Sequence, residues 1–213
     1  MEIIFTGKVV RVILAREVEF MEIDKGNIVI DINKPYALSR FSSEFIDILR
    51  SRYTKDYRRL VILCIGSDRS TGDCLGPLVG HKLRLIKYRD VSVYGTLEDP
   101  VHAKNLEDMI NNIHKNYERP FIIAIDASLG RSSSIGCISI GNGPILPGAG
   151  VYKDLPAVGD MHITGTVNMG GFMEFLILQN TRLSLVMKMS EVISSGIHYG
   201  LWKVLLDSKI DEI

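Results

Sequence analysis

LVILCIGSDRSTGDCLGP, residues 60–77, decides the fold. Six apolar residues with no polar break read as a strand buried on both faces, the pattern of a parallel sheet covered by helices. A polar, Gly-containing loop follows. Pro77 is then expected to open a helix reaching about Tyr88, because proline lacks only an N–H that has no partner in a first helical turn. The same grammar continues on both sides. VSVYG (91–95), FIIAID (121–126), SIGCISI (134–140) and MHITGTV (161–167) read as strands, with helices over 103–116, 172–179 and 182–207. Upstream, SRFSSEFIDILRSR (39–52) spaces Phe41, Phe45, Ile48 and Leu49 as a helix, with Ser39 or Ser42 as its N-cap. Alternating strands and helices predict an α/β fold with a mostly parallel central sheet. Before it, 3–14 and 17–23 read as β structure, and Lys25-Gly26-Asn27 turns into IVIDI (28–32). This small N-terminal β segment either packs on the domain as a ribbon or pairs with a second subunit in a homo-oligomer.

Composition excludes several function classes. The chain has 213 residues, with 25 Lys+Arg against 25 Asp+Glu and 46% apolar residues. That is a globular chain of one domain with an appendage. Zero net charge speaks against nucleic-acid binding through a broad basic field. Cys64, Cys74 and Cys137 have neither CxxC spacing nor a matching His pair, so no disulfide framework or zinc knuckle is expected. Lys8, Arg11 and Arg16 interrupt the apolar start, which is not that of a signal peptide, and no stretch is long enough to span a membrane. A cytoplasmic protein with no membrane partner is expected.

In such a sheet, ligands bind outside the carboxyl ends of the strands. Four polar clusters fall there: 66–77, TLEDPVHAKN (96–105), Asp126 with the ASLGRSSS that follows, and Asp160–His162 beside a Gly/Pro-rich loop over 141–160. The first lacks both the Walker and the dinucleotide fingerprints. Asp73, just before a helix, is expected to be ionised by the free N–H groups there, or else to be a plain capping aspartate. Asp126 ends a buried strand, where a charge needs a partner, loop amides or a metal. If the two strands are neighbours, Asp73 and Asp126 converge as a pair that titrates as a unit and can activate water for amide hydrolysis. His162 would add the imidazole of a divalent-metal set, although a lone histidine at a strand start is more often structural. Nucleophiles are less well supported: Ser128 sits in DASLG, not GxSxG, and Cys74 near a helix N-terminus would have a lowered pKa. His81, His102 and His162 are candidate bases with no local signature to select one. Ser67, Asp68, Arg69, His102, Ser128 and Arg131 are the expected substrate cleft, the arginines suited to a carboxylate or phosphate.

Four separated motifs carry a resemblance. VILCIGSDRSTGDCLGPLVG (61–80), GTLEDPVHAKNL (95–106), IIAIDASLG (122–130) and VGDMHITGTVNMGGFMEFLILQNTRLSLVM (158–187) resemble the YyaC family of sporulation proteins, over about residues 33–207. That family is similar to the spore germination protease and, more distantly, to hydrogenase maturation peptidases. The resemblance implies a three-layer, phosphorylase/hydrolase-like α/β/α domain over 33–213, with 1–32 as a β extension. It implies catalytic roles for Asp73 and Asp126. In the hydrogenase peptidases an acidic residue, an aspartate and a histidine bind the substrate's nickel, which here maps to Asp73, Asp126 and His162. The germination protease is larger, is made as a zymogen and has insertions absent here, so its substrates do not transfer. The expectation is a peptidase acting on a spore protein or peptide in the forespore or mother cell, with no required cofactor and a divalent metal as an option. The alternatives are a non-catalytic binding or assembly factor and a small-molecule hydrolase.

Overall fold

The computed structural model describes residues 3–5, 8–10, 23–24, 27–147 and 155–210, with side chains described for 27–147 and 155–205. In chain order the strands and helices are β1 (Ile3–Phe5), β2 (Lys8–Val10), β3 (Ile23–Asp24), β4 (Asn27–Asp31), α1 (Ala37–Arg52), β5 (Arg59–Cys64), α2 (Leu75–Leu83), β6 (Val91–Tyr94), α3 (Leu106–Asn116), β7 (Pro120–Gly130), β8 (Cys137–Asn142), β9 (Met161–Met169), α4 (Glu174–Gln179) and α5 (Leu183–Ile210). Most of the β structure expected over 3–14 and 17–23 lies outside the described residues, as do Lys25, Gly26 and residues 148–154 of the Gly/Pro loop. β1 and β2 pair as a separate antiparallel ribbon.

The other seven strands form one sheet in the order β3-β4-β8-β9-β7-β5-β6. β6, β5, β7 and β9 run parallel, whereas β9–β8, β8–β4 and β4–β3 are antiparallel. The sheet is therefore mixed, and its parallel half holds the two strands read as continuous apolar runs. Alternation divides those strands between two cores. Leu60, Ile62 and Cys64 of β5 and Phe121, Ile123 and Ile125 of β7 face one side, where Phe41 and Phe45 of α1, Val79 of α2 and Ile193 and Ile197 of α5 pack. Val61, Leu63, Ile122 and Ala124 face the other side, against Leu106 and Ile113 of α3. Helices thus flank both faces of a central sheet.

Several local expectations are corrected. α2 starts at Leu75 and stops at Leu83, so Pro77 is its third residue. Any of the first four helical N–H groups can be forfeited without losing an intrahelical bond, so proline fits there equally well. α1 is entered through Tyr36 in the left-handed region (φ 65°) with no side-chain cap. Ser39 and Ser42 instead donate their hydroxyls back to the carbonyls of Tyr36 (2.9 Å) and Leu38 (2.7 Å). β4 is laid along β8, Ile28 opposite Ile140, as a strand of the main sheet.

Candidate functional site

β5 pairs with β7 in a register that sets Cys64 beside Ile125, and the Ile65 N–H continues the ladder to the Ile125 carbonyl (2.7 Å). Asp126 therefore stands next to the point where β5 gives way to its loop. From these strand ends the chain leaves in different directions: from β5 through α2 to β6 on one side, from β7 towards β8 and β9 on the other. A crevice opens where neighbouring connections diverge in this way. It is a cavity of about 250 Å³ whose lining includes Ser67, Ser70, Asp73, His102, Lys104 and Asp126. Period-two alternation places Asp126 on the α3 side of the sheet, in line with Ile122 and Ala124.

The loop 65–74 is folded back on itself. The Gly66 N–H donates to the Val101 carbonyl (2.8 Å), joining this loop to the segment that carries His102, and the Ser67 N–H donates to the main-chain carbonyl of Asp73 (3.2 Å). Gly66 has φ +140°, and a Cβ there would lie 2.0 Å from the Asp73 carbonyl oxygen. Only glycine allows this approach. Gly72 donates its N–H to the Leu178 carbonyl (2.8 Å), which ties the loop to α4.

Burial decides the electrostatics. It pushes the Asp73 carboxyl up from the ordinary 3.8 to about 6, against the opposing pull of the Ser67 backbone N–H and of the His102 imidazole. Burial outweighs the helix N-terminus at Asp73, which is still mostly ionised near neutrality, as expected. The expectation of a lowered Cys74 pKa is corrected for the same reason. Burial first, and the Asp73 charge second, raise its thiol to about 11, and its Sγ donates to the Thr71 carbonyl (2.9 Å). Asp126 is buried, at 7% exposure, and its Oδ1 accepts the Ala127 N–H (2.8 Å). The Lys104 N–H donates to Nδ1 of His102 (3.3 Å), which leaves Nε2 as the protonated nitrogen of the neutral ring.

A family model described as a protein of unknown function, DUF1256, matches residues 33–196. The chain belongs to the DUF1256 family. It is 60% identical over 138 residues to a Bacillus subtilis (strain 168) protein described as uncharacterized protein YyaC, a match covering 65% of this chain and 67% of the relative. The YyaC resemblance read from the four motifs is thereby borne out. A crystal structure of a NiFe hydrogenase maturation protease, HycI from Thermococcus kodakarensis KOD1, superposes with a TM-score of 0.43 at 19% identity, over 71% of this chain and 99% of that one.

In this DUF1256 chain the cavity brings together Asp73, Asp126, Ser67, Arg69 and His102 of the residues singled out from sequence. Asp68, Ser128, Arg131 and His162 are not among its lining. Ser128 lies further along β7, its hydroxyl 3.2 Å from that of Thr166, and Asp68 and Arg131 are exposed loop residues. His162, at the start of β9, donates from Nδ1 to the Gly143 carbonyl (2.9 Å). The imidazole beside Asp73 is therefore that of His102. Among the described residues no group of three or more His, Cys, Asp and Glu side chains is placed to hold a metal ion. Ser70, Lys104 and Phe175 also line the cavity and were not singled out from sequence. The HAKN and STGD segments that carry Lys104 and Ser70 were visible, but only the fold shows which of their side chains meet.

Proposed function

We propose that this chain is a hydrolase of the peptidase type, in a phosphorylase/hydrolase-like domain, which cleaves a peptide bond in a spore protein or precursor by water activated between Asp73 and Asp126. The observation that carries this reading is the placement of both aspartates in one cavity, with the Asp73 carboxyl at about 6. A general base works best with a pKa near the working pH, since it must be largely ionised and still accept a proton readily. Near neutrality Asp73 is mostly ionised and takes the proton of the attacking water as its oxygen bonds to the scissile carbonyl carbon. Collapse of the tetrahedral intermediate then expels the amine, which leaves with that proton. Asp126, held by the Ala127 N–H, orients the water from the end of the neighbouring strand. His102 lines the same cavity and its imidazole draws the Asp73 carboxyl pKa down, against burial. No step is routed through a metal.

The motif resemblance to the germination protease supports the aspartate roles and the sporulation setting. Forespore or mother-cell cytoplasm follows from that setting, and among the described residues no helix is long and apolar enough to cross a membrane. The test is incubation of spore-protein extract with wild type, Asp73→Asn and Asp126→Asn, with mass spectrometry of newly formed termini. New termini with wild type alone are expected. Equal cleavage by all three proteins ends the aspartate reading.

A further inference from the structure

One polar atom in this cavity has no hydrogen-bond partner among the described residues. Ser70 is only 8% exposed, it lines the cavity, and its Oγ is buried with no hydrogen-bond partner among the described residues. Buried hydroxyls are nearly always paired, and an orphan in a native fold calls for a missing ligand atom or water. Two cations line the same cavity, Arg69 on the adjoining residue and Lys104 on the segment after Val101. Neither side chain has a hydrogen bond or ion pair among the described residues.

We propose that Ser70, Arg69 and Lys104 form a carboxylate-binding subsite, so that the substrate presents a carboxylate, from its free C-terminus or an acidic side chain, close to the bond to be cut. A hydroxyl O–H, a guanidinium and an ammonium are all donors, and together they suit an acceptor-only group. Charge selects the kind of anion. Asp73 and Asp126 already place two carboxyl groups in the cavity. Those carboxyl groups repel a doubly charged phosphate about twice as strongly as a singly charged carboxylate, so the cavity's charge favours the carboxylate. Phe175 and Leu178 also line the cavity and offer apolar surface for a neighbour of that carboxylate. The subsite rests on the peptidase reading for its role in turnover, but binding itself needs no turnover.

The experiment is calorimetric titration of the full chain with three blocked tripeptides: one with a free C-terminus, one with an internal glutamate and an amidated end, and one neutral and amidated. At least one acidic peptide is expected to bind about tenfold or more tightly than the neutral one, and the one that does identifies the source of the carboxylate. Ser70→Ala is expected to weaken that binding about tenfold, and Arg69→Gln and Lys104→Gln several-fold each. The melting temperature of Ser70→Ala should not fall, because the hydroxyl makes no hydrogen bond among the described residues. Equal binding of acidic and neutral peptides overturns the subsite, as does unchanged affinity in Ser70→Ala, or stronger competition by inorganic phosphate than by acetate. Selective binding without any cleavage of spore-protein extract would instead remove the peptidase reading and leave the subsite standing.

Discussion

Asp73→Asn should make the protein more stable at neutral pH and less active. The fold holds this carboxyl at about 6, whereas the ordinary value is 3.8. The folded state therefore binds the proton more readily than the unfolded chain between those two pH values. Stability falls as pH rises across that window, and the full penalty applies above about pH 6. At 1.36 kcal/mol per pKa unit the gap corresponds to about 3 kcal/mol, and solvent screening of a partly buried carboxyl brings the expected gain nearer 2 kcal/mol. Asparagine keeps the shape and removes the charge. Urea unfolding of wild type and variant at pH 7.5 and pH 4.0 measures the effect. The variant should gain about 2 kcal/mol at pH 7.5, or about 4–8 °C in melting temperature, and almost nothing at pH 4.0. A variant that is no more stable than wild type at pH 7.5, or that gains equally at both pH values, would refute burial as the cause.

Two further perturbations address the loop that carries Asp73. Gly66→Ala forces a Cβ to 2.0 Å from the Asp73 carbonyl oxygen at a φ that suits glycine alone, so a loss of about 3 kcal/mol or more is expected in urea unfolding. Cys74, with its thiol at about 11, should react with iodoacetamide at pH 8 about a hundredfold or more slowly than free cysteine. Labelling followed by peptide mapping reads this directly, and a rate near that of free cysteine would contradict the burial assignment.

The strands that build the site were legible because burial on both faces writes an unbroken apolar run, as in LVILCI and FIIAID. Strand direction leaves no such mark. β8 and β4 read as strands from their Ile and Val content, and only pairing reveals that they run antiparallel and turn a parallel sheet into a mixed one. The convergence of Asp73 and Asp126 followed from two polar strand ends, and the register of β5 on β7 supplies its physical basis. Sequence misjudged the electrostatics of Cys74. Helix N-termini are visible in a sequence, whereas the burial that outweighs them depends on packing by residues distant along the chain. His102 displaced His162 beside Asp73 for a related reason. A histidine's role depends on which strand end its segment meets, and His162 is committed to the Gly143 carbonyl.

The measurement closest to the central claim is the pH dependence of cleavage on a substrate recovered from spore extract, for wild type, Asp73→Asn and Asp126→Asn. A base with a carboxyl at about 6 predicts a wild-type rate that rises through that pH and levels off above it, with both variants slower by about a hundredfold or more. A wild-type rate that is flat across that range, or variants that cleave as fast as wild type, would contradict it.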